Sequence, residues 1–176
     1  MKLKSLAAVA AVSAMVAGNA NANLLFDIYA GATAGFGGAT WFADENKTYA
    51  AQSYGAVLGI DIPFVRGELE YDYLMSDDAK LHLVMANVYA KMPTPVIKPY
   101  LGGGIGMVVA GDYNDLDAED AMAYQGMLGV TFDLPILPFN IDVEGRVLYA
   151  NHVFKVADEN ANLLQYDARV KLRYVF

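Results

Sequence analysis

Eight segments of the chain alternate between apolar residues and polar or small ones. This period of two constrains the fold more than any other feature. In the first segment Phe26, Ile28, Ala30, Ala32 and Ala34 are separated by Asp27, Tyr29, Gly31 and Thr33. In the last, Tyr166, Ala168, Val170, Leu172, Tyr174 and Phe176 are separated by Asp167, Arg169, Lys171, Arg173 and Val175. The six between them begin near Ser53, Glu68, Val84, Tyr100, Tyr124 and Ile141 and repeat the pattern. No charged residue occurs in the apolar row of any of the eight. Alternation of this kind gives a strand with one face in an apolar medium and the other among polar groups.

Composition narrows the medium. Hydrophobic residues make up 56% of the 176 residues, charged residues 18%, and the mean hydropathy is positive. A disordered chain is excluded by that content. Beyond the first 22 residues no run of 18 apolar residues occurs, which excludes a helical span there. With no Cys, disulfides, thiolate nucleophiles and Cys-ligated metals are excluded together. A net charge of −8 argues against nucleic acid, because phosphate contacts need Lys and Arg.

The first 22 residues read as an export signal. Lys2 and Lys4 supply a positive start, Leu6 to Gly18 is apolar, and Ala20-Asn21-Ala22 fits the small-x-small cleavage rule. The domain reading is therefore a signal peptide over 1–22 and a β-barrel over 23–176. Removing Lys2 and Lys4 takes the net charge from −8 to −10.

The connections alternate in kind. Ile62 to Val65, Met92 to Ile97 and Leu134 to Pro138 are short and carry Pro; Gly37 to Ala50, Met75 to Lys80, Ala110 to Ala121 and Ala150 to Leu164 are polar and mostly longer. Short turns at one end and long loops at the other are the layout of an outer-membrane barrel. On the apolar rows Tyr54, Tyr71, Tyr73, Tyr124, Tyr149 and Tyr166 fall at the long-loop ends, whereas Phe26, Phe132, Phe139, Tyr174 and Phe176 fall at the short-turn ends. Two aromatic rings at opposite heights match the two lipid–water interfaces and favour the membrane over a soluble barrel. The expected fold is all-β: an eight-stranded antiparallel up-and-down transmembrane β-barrel, monomeric, in the outer membrane of a Gram-negative bacterium.

Asn87-Val88-Tyr89-Ala90 followed by Lys98-Pro99-Tyr100-Leu101-Gly102-Gly103-Gly104-Ile105-Gly106 resembles the N-x-Y and K-P-Y-x-G-x-G signature of the opacity/OmpA/OmpX-like outer-membrane β-barrel superfamily. The end of the chain is similar to the assembly signal of such proteins, with Tyr174 and Phe176 as its aromatics. The resemblance implies the barrel, outer-membrane lipid and lipopolysaccharide as surroundings, and the outer-membrane assembly machinery as a partner. It implies no single activity, since members include scaffolds, adhesins, complement-evasion proteins and narrow channels.

Parity assigns the polar rows to the lumen. Arg66, Lys91, Lys98, Arg146, Arg169, Lys171 and Arg173 are its cations; Asp27, Asp61, Glu68, Glu70, Asp72, Asp133, Asp142, Glu144 and Asp167 are its anions. Eight strands make a barrel whose side chains just fill it. A salt-bridged plug is therefore favoured over a solute pathway. Pairing the last two segments about Tyr149 and Tyr166 sets Glu144 opposite Lys171, Asp142 opposite Arg173, and Arg146 opposite Arg169. Glu68, Glu70 and Asp72 are the acids expected to answer Arg146 and Arg169, with Gly55 and Gly59 making room.

Chemistry finds little support. The segment after the signal holds only Ser53, Ser76, His82 and His152. Ser76, Asp77, Asp78 and His82 share a hairpin but have no nucleophile elbow, and Phe154 stands where a lipid-A deacylase-like His-x-Ser would need Ser. Five acids in the stretch 112–120 invite a divalent cation, yet no EF-hand spacing fits, because Leu116 or Asp120 breaks it. No catalytic residue, cofactor or metal is assigned. Trp41, Phe42, Tyr113 and Phe154 sit in the long loops, where aromatics either pack on the barrel rim or dip into the headgroups, or form a binding patch. The functional expectation is a non-enzymatic barrel with a structural or surface-interaction role toward an extracellular ligand or host surface. The alternative is a narrow porin-like channel for small or hydrophobic solutes.

The export reading predicts that N-terminal sequencing of protein from outer-membrane fractions begins at Asn23. An intact Met1 on membrane-inserted protein would overturn it.

Overall fold

The computed structural model describes residues 26–42, 47–76, 79–113, 116–117, 121–134, 137–156 and 159–176. Eight long strands follow one another: β1 (Asp27–Phe42), β2 (Lys47–Asp61), β3 (Val65–Ser76), β4 (Ala79–Lys91), β5 (Ile97–Tyr113), β6 (Met122–Asp133), β7 (Phe139–Val156) and β8 (Glu159–Val175). A two-residue piece, Leu116–Asp117, pairs with the end of β5. Each long strand pairs antiparallel with the next, and β1 pairs with β8 from Tyr29↔Val175 to Phe42↔Asn162. That last ladder closes the sheet into a barrel and removes its edges.

The wall carries the expected alternation. β3 reads exposed, buried, exposed, buried over most of its length. Leu69, Val88, Leu101, Ile105, Leu128, Val143 and Val170 project outward as an apolar wall. Such a wall needs hydrocarbon around it. The tyrosines at one end and the phenylalanines at the other are exposed, with Tyr73 half-buried, so both aromatic rings stand where parity placed them.

Strand length is the main difference from expectation. A membrane crossing needs about 9–11 residues of strand, whereas β1, β5, β7 and β8 have 16 to 18. Much of what reads as loop in the sequence is paired: β1–β2 continues to Trp41↔Lys47, and β7–β8 to Val156↔Glu159. The physical reason is that polar side chains mark solvent contact, while the backbone still gains by laddering beyond the membrane. Irregularities fall in these upper regions, between His82 and Leu83 on β4 and between Ala150 and Phe154 on β7.

At the other end the turns are tight. Ile62 N–H donates to Val65 O at 3.0 Å, and Leu137 N–H to Leu134 O at 2.9 Å. Phe176 is tied down as well: its N–H donates to Ile28 O at 2.9 Å, and its ring lies 5.2 Å from that of Tyr174, edge to face.

A carboxylate at position 176 places charge in this aromatic ring. Phe176→Asp is expected to reduce the yield of the heat-shifted, folded form on semi-native gels. Normal yield would contradict both the topology and the assembly role of the terminal aromatics.

Candidate functional site in the barrel lumen

The lumen has two layers. Toward the short turns it is charged: Arg66, Glu68, Glu70, Asp72, Asp142, Glu144, Arg146, Asp167, Arg169, Lys171 and Arg173 are all buried. They come from β3, β7 and β8, whose inward rows hold most of the charge. Of the sixteen charges that parity assigns to the lumen, these eleven, Asp167 among them, are buried here, and the other five lie at the short-turn mouth.

Arg146 is the centre of one group. Its Nη1 donates to Asp72 Oδ2 across the barrel at 2.6 Å, while Nε and Nη2 grip Asp167 at 3.1 and 2.6 Å. Ser53 Oγ and Gln165 Nε2 add 3.1 and 2.8 Å hydrogen bonds to the same carboxylate. A second group surrounds Asp142, which accepts from Arg66 Nη1 at 3.0 Å, from Arg173 Nε at 2.9 Å and Nη2 at 3.0 Å, and from Thr131 Oγ1 at 2.7 Å. Glu68 accepts from Lys171 Nζ at 2.6 Å and from the hydroxyls of Tyr29 and Tyr89 at 2.6 and 2.9 Å. Glu70 pairs with Arg169 and accepts from Asn87 and Gln125.

Tyrosines complete the layer. The Arg66 guanidinium lies 4.0 Å from the Tyr89 ring centroid and 4.6 Å from that of Tyr100, and Arg173 lies 4.6 Å from that of Tyr29. Such stacking suits a desolvated guanidinium. Each ring covers a glycine directly opposite on the next strand: Tyr89 over Gly102 and Tyr100 over Gly129. A Cβ at Gly129 would meet the Tyr100 ring at 2.6 Å. These tyrosines, with Asn87, Gln125 and Thr131, were inward by parity but carried no charge to single them out.

The hairpin register corrects the sequence reading by two residues. Tyr149 pairs with Leu164, not Tyr166, so Glu144 faces Arg169, Asp142 faces Lys171 and Arg146 faces Asp167. The expected register would set Arg146 against Arg169, and like charges directly opposite are destabilising. The contact between Asp142 and Arg173 survives as a diagonal, whereas Lys171 reaches across to Glu68. The glycines are also reassigned in part: Gly59 lies under Tyr29, while Gly55 leaves space used by Thr33 and Asp72.

Above the ions the lumen is apolar. Leu74, Leu81, Leu83, Met85, Val108, Leu148, Val153 and Leu163 pack with alanines into one buried cluster. This layer departs from the polar character expected of the inward rows, because the upper inward positions meet one another and not the ion pairs. Its signal was the run Leu81, Leu83, Met85 on the inward parity of β4.

At the short-turn mouth Lys91 pairs with Asp61 and Lys98 with Asp133. A basin of about 740 Å³ opens there, lined by both pairs and by Phe26, Pro63, Pro95 and Leu137. Asp27 is exposed at this rim.

Ser76 and His82 do not form a site. Ser76 is buried inward and bonds Ala79 O, whereas His82 lies on the outer wall, its Nδ1 2.6 Å from Tyr71 Oη and its ring 4.8 Å from that of Tyr73. Asp77, Asp78 and the side chains of Trp41, Tyr113, His152, Phe154 and 112–120 lie outside the described residues. Among the described residues no group of three His, Asp or Glu is arranged to hold a metal ion.

Solved structures give the likeness. Neisserial surface protein A aligns over 82% of this chain and 96% of its own, with a TM-score of 0.63 and 20% identity. The fold is that of the small outer-membrane β-barrels. The N-terminal barrel domain of Pseudomonas aeruginosa OprF matches over 83% and 97% of the two chains, with a TM-score of 0.54 and 13% identity. The outer-membrane enzyme PagL matches over 80% and 97%, with a TM-score of 0.56 and 12% identity. No protein-family profile matches the chain, and a search of curated proteins finds no match.

Arg146→Ala strips a cation from both Asp72 and Asp167. Breaking a buried pair costs about 3–5 kcal/mol, so the unfolding midpoint in detergent is expected to fall clearly. Asp27→Ala, at the exposed rim, is expected to leave it unchanged. Equal midpoints for the two variants would contradict a load on the ion pairs.

Proposed function

We propose that this protein is a non-enzymatic, integral outer-membrane β-barrel whose lumen is closed and whose work is done by the hairpins at its long-loop end. The observation that carries the reading is the filled interior. A layer of paired charges and a layer of packed aliphatic side chains lie in series along the axis. An ion passing the first would have to separate buried pairs, and one passing the second would have to enter a medium without polar partners. Both barriers argue against a standing pathway.

The outward rows favour lipid as the immediate surroundings. Outer-membrane lipid and lipopolysaccharide meet the exposed tyrosines at one interface, and the assembly machinery would engage Tyr174 and Phe176. The paired extensions of β1–β2 and β7–β8 would display contacts for an extracellular ligand or host surface. The name of the Neisserial neighbour describes a surface protein, which accords with this reading. The fold alone does not decide activity, since PagL is an enzyme on the same architecture. Against an enzyme here stands the separation of Ser76 from His82 on opposite faces of the wall.

The channel reading draws on one observation, the basin at the short-turn mouth. Planar-bilayer recordings of purified protein in symmetrical salt separate the two. The sealed barrel is expected to give no steady, open, porin-like conductance. Stable large channels whose ion preference changes with Arg146→Ala would promote the pathway. Exchange of the β1–β2 and β7–β8 hairpins tests the surface role, and loss of cell or ligand binding without loss of folded barrel is the expected result.

A further inference from the structure

The buried charges do not balance. Among the described residues five cations are buried in the lumen: Arg66, Arg146, Arg169, Lys171 and Arg173. Six carboxyl groups are buried with them: Glu68, Glu70, Asp72, Asp142, Glu144 and Asp167. The rim pairs Lys91–Asp61 and Lys98–Asp133 are neutral in sum and leave the excess in place.

Geometry identifies the odd member. Five of the six carboxyls accept a charge-assisted hydrogen bond: Glu68 from Lys171, Glu70 from Arg169, Asp72 and Asp167 from Arg146, and Asp142 from Arg66 and Arg173. Glu144 accepts none. Its nearest cationic nitrogen, Arg169 Nη1, is 3.8 Å away and makes no hydrogen bond, while Nη2 of the same guanidinium is the nitrogen that pairs with Glu70. Its one hydrogen bond comes from a neutral group, Tyr100 Oη at 3.0 Å, and Oε1 has no hydrogen-bond partner. An ionised carboxylate in that state is costly in a low-dielectric interior, and the usual resolution is to take up a proton.

We propose that Glu144 is the lumen's proton-binding site, held as the neutral carboxylic acid in the folded barrel. This goes beyond the surface role proposed above and depends only on the closed lumen. The bookkeeping is simple: one proton from solvent adds to the Glu144 carboxylate on folding, and the buried layer becomes five against five. The groups facing it are Tyr100 of β5, Tyr89 of β4, Glu68 and Glu70 of β3, and Arg169 and Lys171 of β8. From β6 the residue opposite is Gly129, which adds no charge. Losing the proton would put a third negative charge beside Glu68 and Glu70. The site would thus link the closure of the ion-pair layer to pH.

The test uses isosteric neutral variants of the full-length, membrane-folded protein. Glu144→Gln is expected to keep the wild-type unfolding midpoint, because it replaces one neutral group by another of the same shape. Glu70→Gln and Asp142→Asn leave a buried cation short of a partner, and their midpoints are expected to fall by about 5 °C or more, the shift that roughly 2 kcal/mol produces in a chain of this length. Infrared difference spectra at pH 7 read the proton itself: wild type should show the C=O stretch of a protonated carboxyl that Glu144→Gln removes. A fall for Glu144→Gln as large as for Glu70→Gln, its failure to fold, or a wild-type spectrum without that band would overturn the assignment.

Discussion

Every backbone N–H and C=O that meets hydrocarbon must find its partner inside the protein. In this chain seven ladders join neighbouring strands in sequence, and an eighth, the antiparallel pairing of β1 with β8, completes the requirement. Without it the sheet would present two open edges to lipid. With it, every residue of a spanning strand has only two destinations, outward to lipid or inward to the lumen. The alternation of side chains follows from that choice, as does the absence of charge from the outer row between the two aromatic rings.

Closure also decides what the inside must do. Eight strands enclose a volume that side chains fill, so the inward rows pack against one another. The charged rows of β3, β7 and β8 meet across the axis and pair. Arg146 bridges Asp72 of β3 and Asp167 of β8, and Glu68 of β3 meets Lys171 of β8. Tyrosines lie over glycines on neighbouring strands and fill the remaining width, stacking on guanidinium groups as they do so. Beyond this layer the inward residues turn aliphatic and pack into one buried cluster.

The solved barrels that share the architecture are only 12–20% identical to this chain. At that distance the shared element is the closed sheet itself. Lipid selects the outer row by hydrophobicity alone, which many sequences satisfy. The interior is where chains can differ, because any set of side chains that fills the volume and satisfies its charges will serve. Surface hairpins are freer still, since they extend beyond the membrane.

The sequence by itself determined the strand count, the faces and the two aromatic rings, because alternation is local and lipid tolerates no charge on the outward row. It also identified the inward charges of Arg66, Glu68, Glu70, Asp72, Asp142, Glu144, Arg146, Arg169, Lys171 and Arg173, again by parity. Tertiary structure decided who meets whom. A slip of two residues keeps every side chain on its face, so parity could not choose between Tyr166 and Leu164 as the partner of Tyr149. The ladder lengths beyond the membrane were hidden for a similar reason, since polar side chains do not report whether their backbone is paired. The aliphatic layer of Leu74, Leu81, Leu83, Leu148 and Leu163 emerged only on closure. Those residues come from four strands, and only the curvature of the finished barrel brings them to one height on its axis.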